Sequence, residues 1–338
     1  GRLLTEHPPA DGAHIQVLLT PAVHRLVVPW AFLYAGEPPD PRRGVTVDPE
    51  AFWGLRYVIE QRFTDSYSSV RDEATVHLHD RAARWALFLN DQVGQVSAQH
   101  LRSLGELEGE RLTGGTPPIL APRKLEDALR RSDHDVLYFF THGHTAVEDP
   151  GVEAQVLDRL KDFAGQLGDE AGRGAERLEK QLLANRDVDG RSWIQMTRGR
   201  LFLDDLRDRD IRLYGRPLVF LNMCESAHFY TGTADNFIRF FLDRKARSVV
   251  GTECLMTPEF AHAFSLRVLG KLFRGEALGS ALLAARRELA AELKSPLGMA
   301  YTLYGSAQLA FEPPAPAGSP APADVAGAPE TPTPGGIP

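Results

Sequence analysis

Two apolar runs in the sequence end in residues able to do chemistry. VLYFFTHGHT delivers His142, Gly143 and His144, and LVFLNMCESAH delivers Cys224. In open sheets of parallel strands, reactive groups collect beyond the carboxyl ends. If these runs are neighbouring strands, a histidine and a cysteine reach one edge together. A free thiol, with a pKa near ~8.5, is mostly protonated at neutral pH. An imidazole within reach takes its proton or stabilises the thiolate. Gly143 lets the backbone turn sharply after its strand, so that its N–H faces a substrate carbonyl. With the N–H of Cys224 it would form an oxyanion hole, each donor stabilising developing charge by about 3 kcal/mol.

Plainer roles are open to the same residues. A cysteine at a strand end can be a small buried apolar residue, and a strand-end histidine a hydrogen-bonded structural group. His-Gly-His resembles a metal-ligand pair. Successive strand positions face opposite ways, however, and no further cluster at ligand spacing completes a site. Neither a metal nor a cofactor is expected. His144 is expected on the surface or behind His142. Cys254, in GTECLMTP after another strand, reads as a structural thiol able to line a cleft.

The elements that must position these groups alternate along the chain. Short apolar runs at 14–20, 24–34, 55–63, 83–91, 136–142, 217–224, 247–253 and 301–311 read as strands, with a short candidate in PPILA. Pro29 makes its strand an edge or an interrupted one. Helical patterns fill 97–112, 122–131, 234–246, 258–273 and 277–293. Strands separated by helices predict an α/β fold, its mostly parallel central sheet covered by helices on both faces. Residues 152–186 carry apolar side chains at helical spacing (Val156, Leu160, Phe163, Leu167) interrupted by glycines, and read as part of a helical insertion over about 148–198. Residues 1–312 then form the folded domain. The last 26 residues, 313–338, hold 9 of the 24 prolines and read as a disordered tail or linker.

Composition narrows the classes. Of 338 residues, 43% are apolar and 25% charged, enough for a sizeable core. The net charge of −7, with signs interspersed, argues against a nucleic-acid or anionic-membrane surface. No apolar run reaches the roughly 18 residues that span a bilayer. Two cysteines make no disulfide framework, which favours a reducing, cytoplasmic setting. The chain starts at a glycine, so any targeting segment would lie outside it.

FFTHGH and FLNMCESA resemble the histidine and cysteine motifs of the CHAT family of caspase-like peptidases, in the clan of caspases, separase and gingipains. LVVPWAFLY resembles that family's early proline-tryptophan strand. The run from RSVVGTECLMTPEF to ALLAARRELA resembles the segment after the nucleophile, and MAYTLYGSAQLAF its closing strand. The likeness spans roughly residues 14–312. It implies a caspase-like fold with His142 as the catalytic histidine, Gly143 as its oxyanion-hole neighbour and Cys224 as the nucleophile. It also implies a bacterial endopeptidase that cuts a protein partner at few sites, switched on by a sensor protein or a sensor domain outside this chain, in regulation or anti-phage defence. A catalytically silent protein-binding scaffold and a small-molecule hydrolase are the alternatives.

The resemblance is incomplete around the substrate. Many members carry a tryptophan and then an acidic residue after the strand that follows the nucleophile; here the stretch is GTECLMTPEF, with Glu253, Cys254 and Glu259. Relatives that cut after basic residues often have an aspartate two places before the nucleophile, where this chain has Asn222. An extended substrate beside Thr252–Met256 is expected, with Asn222 on the floor of the pocket for the residue before the cut. A neutral amide favours an uncharged or apolar residue there. A basic one would need Glu253, Asp204 or Asp205 as countercharge.

Overall fold

The computed structural model describes residues 8–20, 28–37, 40–44, 46–64, 75–76, 83–91, 96–108, 112–113, 118–130, 133–144, 191–223, 237–254 and 256–312. Its strands are β1 (His14–Leu19), β2 (Val58–Phe63), β3 (Thr75–Val76), β4 (Ala83–Leu89), β5 (Leu112–Thr113), β6 (Val136–Phe140), β7 (His142–His144), β8 (Trp193–Met196), β9 (Gly199–Phe202), β10 (Leu218–Asn222), β11 (Ser248–Thr252), β12 (Tyr301–Gly305) and β13 (Ala310–Phe311). The helices are α1 (Trp53–Arg56), α2 (Val96–Glu108), α3 (Pro122–Arg130), α4 (Leu203–Arg207), α5 (Phe237–Asp243), α6 (Pro258–Phe273) and α7 (Leu278–Leu293).

The central sheet has eight strands in the order β1-β2-β12-β11-β10-β6-β4-β5. All neighbours are parallel except β11 and β12, so two parallel blocks meet along one antiparallel seam. Every residue of β6 (VLYFF), β10 (LVFLN) and β11 (SVVGT) is buried. Strands covered on both faces read as unbroken apolar runs. Pleating divides their side chains between two core layers. Val136, Tyr138, Phe140, Leu218 and Phe220 meet α2, α6 and α7, whereas Leu137, Phe139, Val219, Leu221 and Met223 meet α3, α4 and α5.

Thr257 caps α6, its hydroxyl accepting from the Phe260 N–H at 3.3 Å, with Pro258 at the first helical position. This fixes where the helix starts against the ends of β6 and β10.

Three readings of the sequence need correction. The described part of 24–34 is no strand: Trp30–Phe32 form a 3-10 turn, the Phe32 N–H bonding the Pro29 carbonyl at 2.8 Å. Proline has no N–H for a ladder and holds the bend instead. The run 301–311 splits into β12 and β13. Gly305, at φ +106°, turns the chain so close to Arg247 O and Ser248 that no side chain fits. Residues 193–196, placed in the helical insertion, are strand β8, which with β9 continues from β7 as a small antiparallel sheet. Residues 148–190 of that insertion and the tail 313–338 lie outside the described residues.

Candidate active site

The histidine arm is built by the end of β6. Beyond Phe140 the chain passes buried Thr141 and enters β7, where His142 pairs with Gln195 and Gly143 with Ile194. His142 is half-buried, and burial pushes its imidazole below its usual range. At neutral pH it is a neutral ring with a nitrogen free to take a proton. The His144 side chain lies outside the described residues.

Beside it runs β10, in register with β6 from Leu218↔Val136 to Asn222↔Phe140. The neighbouring-strand condition set by the sequence is therefore met. Met223 is the last described residue on this arm, and Cys224 lies outside the described residues. Met223 is held from two sides. The Thr252 hydroxyl donates to its carbonyl, and Thr141 Oγ1 lies 3.8 Å from its sulfur. A depression with about 290 Å³ of empty space, open to solvent, is lined by Phe140, His142, Asn222, Met223, Met256 and Pro258 among others.

Gly143 serves a different purpose from the turn expected of it. It is absent from the positive-φ glycines and lies within a strand. A Cβ there would come within 2.8 Å of Met223 Cε. What the position requires is room beside Met223, not backbone freedom.

Asn222 lines the depression, yet its amide is occupied. Nδ2 donates to Tyr138 OH at 2.8 Å and to Ala261 O at 3.0 Å, and Oδ1 accepts from Tyr301 OH at 2.6 Å. Thr252 is buried at the end of β11. Glu253 turns away from the depression toward β12, accepting from Thr302 Oγ1 at 2.8 Å and Tyr304 OH at 3.4 Å. Burial lifts its carboxyl to about 7 against these bonds. Cys254 is half-buried and not in a disulfide. Asp204 and Asp205 are exposed on α4, and Glu259 is exposed on the first turn of α6; none of the three lines the depression.

The open edge expected beside 252–256 is largely taken. β11 pairs with β10 on one side and β12 on the other, and the Glu253 N–H continues the β12 side by bonding Ala300 O at 2.8 Å. Among the described residues, no group of three His, Cys, Asp or Glu could hold a metal ion, and no helix is long and apolar enough to cross a membrane.

Sequence reasoning missed Tyr138, His100, His262 and Tyr301, the groups behind Asn222. One signal was present: His100 falls on the buried stripe of α2 with Ser97 and Leu104.

No protein-family model matches the chain, and no curated protein matches it in sequence. Solved structures do. The complex of Porphyromonas gingivalis RgpB pro- and mature domains aligns over 91% of this chain and 69% of its own, at 10% identity and a TM-score of 0.53. The Arg-specific cysteine proteinase gingipain R (RgpB) aligns over 91% and 67%, at 10% identity and a TM-score of 0.50. The Saccharomyces cerevisiae separase–securin complex gives 13% identity and a TM-score of 0.45, this chain spanning 15% of that one. At such identities the likeness is one of architecture: this chain has the caspase-like α/β fold.

Proposed function

We propose that the protein is a cysteine endopeptidase in which Cys224 attacks the scissile carbonyl and His142 is its base. The observation that carries this is the pairing of β6 with β10 in the register Phe140↔Asn222. His142 and Cys224 each stand two residues beyond that pair, at the carboxyl ends of adjacent parallel strands. The RgpB-like fold supports the same reading.

In this mechanism the neutral His142 takes the thiol proton, and the Cys224 sulfur adds to the carbonyl carbon. The N–H groups of Gly143 and Cys224 receive the oxyanion. The protonated imidazole then passes its proton to the leaving amine, giving an acyl-enzyme that water hydrolyses. The substrate is a protein cut at few sites. An activating sensor, in another protein or another domain, fits a bacterial regulatory or anti-phage role in the cytoplasm. Asn222 floors the pocket for the residue before the cut, with Met256 and Pro258 beside it. With its amide spent on Tyr138, Ala261 and Tyr301 and no carboxylate lining the depression among the described residues, an uncharged residue fits best. Glu253, bonded to Thr302 and Tyr304, and Asp205, exposed on α4, are the nearest countercharges by sequence, and either would have to be redirected to serve a basic residue.

The test compares new N-termini in a proteome treated with wild type, Cys224→Ala and His142→Ala. Cleavages made by wild type should vanish in both variants, while Cys254→Ser keeps them. Wild-type cleavage by either of the first two would end the dyad assignment. A fluorogenic peptide library varied before the cut checks the pocket, and a strong arginine or lysine preference would overturn the assignment to Asn222.

A further inference from the structure

Behind Asn222 lies a buried chain of polar side chains that the proposed reaction does not use. His100, on α2, is fully buried and stacks on Phe140 with ring centroids 4.2 Å apart. Its Nε2 is 2.8 Å from Tyr138 OH, and its Nδ1 is 2.8 Å from Nδ1 of His262 on α6, a half-exposed residue. Tyr138 OH is 3.0 Å from Ser265 Oγ, and Ser265 Oγ donates to Ala261 O at 2.8 Å. Asn222 closes the chain by donating to both Tyr138 OH and Ala261 O, and Tyr301 OH donates to Asn222 Oδ1. Five elements, α2, β6, β10, α6 and β12, are tied at one place.

The chain works without charge. Burial, reinforced by the facing His262, drives His100 down to about 3, so it stays neutral under ordinary conditions. Burial likewise pushes the Tyr138 phenol up. Every side-chain link from His262 to Ser265 can be satisfied in either direction. Protons can run His262 Nδ1–H to His100, His100 Nε2–H to Tyr138, Tyr138 to Ser265 and Ser265 to Ala261 O. In reverse they run Ser265 to Tyr138, Tyr138 to His100 and His100 Nδ1–H to His262. In both, Asn222 still donates to Tyr138, so its position is over-determined.

Buried polar groups are costly unless bonded, and a fully satisfied network rigidifies the place where it sits. This one sits on the two strands that lead to the proposed site. Tyr138 is four residues before His142 on β6, and Asn222 is two before Cys224 on β10. Sliding one strand end against the other would break the Asn222–Tyr138 bond. Reactions through positioned groups lose rate steeply when those groups move by about an ångström.

We propose that Tyr138 and His100 are positioning residues for the Cys224–His142 pair, acting through Asn222. The inference rests on the peptidase reading, and its test needs no known substrate. Alkylation of Cys224 by iodoacetamide is followed against pH by peptide mapping, in a Cys254→Ser background, with His142→Ala as reference. Tyr138→Phe, which removes one oxygen and little volume, should move the midpoint upward toward that of His142→Ala and slow alkylation at pH 7 by on the order of tenfold. His100→Leu should do the same. His100→Gln, which keeps a donor for Tyr138, should restore the wild-type profile. A folded Tyr138→Phe with a wild-type profile, or identical behaviour of His100→Leu and His100→Gln, overturns the positioning role. If Tyr138→Phe fails to fold, His262→Leu at the half-exposed end must give a smaller upward displacement that His262→Gln does not; equal profiles overturn the role. A profile indifferent to His142→Ala instead removes the dyad, and the proposal falls with it.

Discussion

Glu60, fully buried on β2, and Glu253, half-buried just past β11, are carboxylates of one sheet, and their surroundings push them in opposite directions. Glu60, on β2 near the β1 edge, is fully buried among donors. Gln16 and the backbone N–H of Ala307 donate to it, Arg62 Nε is 2.7 Å away and His14 Nε2 3.1 Å. Burial alone would raise its pKa. The bonds from Gln16, Ala307 and Arg62, with the Arg62 charge, together outweigh burial and hold it below the usual range. Glu253, at the end of β11 beside the proposed site, has two hydroxyls and, among the described residues, no cation as partners, and rises to about 7. The difference teaches that hydroxyl donors alone do not offset the desolvation of a carboxylate, whereas donors plus a guanidinium do. The first region is a charged clasp between β1, β2 and the chain after β12. The second is kept nearly neutral, like the His100–Tyr138–Asn222 chain close by.

The largest effect should come from breaking the clasp. Glu60→Ala strands the Arg62 guanidinium and the Ala307 N–H, and should lower stability by about 3 kcal/mol or more, read from the denaturant midpoint. The Cys224 alkylation profile should not change, because the clasp lies at the far edge of the sheet from β10. The sign with pH follows from the lowered folded pKa. The stabilisation from ionised Glu60 is full above the unfolded value, near ~4.3, and is lost as pH falls through the folded value. Glu60→Gln should flatten that acid limb; an unchanged limb would show that the clasp does not set it.

The next effect has the opposite sign. Below about pH 4, Glu253 is protonated in both folded and unfolded chains and contributes nothing. Between there and about 7 the unfolded chain releases the proton while the folded one keeps it, so stability falls as pH rises. Glu253→Gln keeps an oxygen for Thr302 and Tyr304 and removes the ionisation. It should therefore be more stable than wild type at pH 8, by on the order of 3 kcal/mol, and equal to it near pH 4. Unfolding midpoints at the two pH values decide this. A loss of stability at pH 8 would mean that the Glu253 charge has a partner, and the contrast with Glu60 would disappear.

How much of this was legible in the sequence depends on whether a residue's role is local. β4, β6, β10 and β11 announced themselves, because a strand covered on both faces reads as a mostly apolar run. Their adjacency was not legible, since register is set by pairings between residues far apart, such as Phe140 with Asn222. The run around Pro29 misled because apolar content resembled a strand while the missing N–H decided the turn. Strand β8 was hidden beside a long polar stretch. His100 and His262 stand 162 positions apart on two helices, and nothing local in either predicts a shared hydrogen bond. Asn222 was found through its place before Cys224, yet its three partners come from β6, α6 and β12.

The smallest effect tests the tight packing at the site end of this contrast. Gly143 has ordinary strand backbone, so an alanine there meets no torsional penalty; it meets Met223, with Cε at 2.8 Å and Sδ at 3.0 Å. The thioether end is flexible and can give way. Gly143→Ala should then lower stability by only about 1 kcal/mol. In a Met223→Ala background, which costs more by leaving a cavity, the added methyl occupies part of the vacated space and should be neutral or stabilising. A double-mutant cycle measures this as a favourable coupling between the two positions. The displaced Met223 is also the residue whose carbonyl Thr252 holds, one position before Cys224. Alkylation of Cys224 in Gly143→Ala should therefore slow, and recover in the double variant. If Gly143→Ala costs the same with and without Met223, room beside the thioether is not what the glycine provides, and its backbone N–H becomes the feature to test.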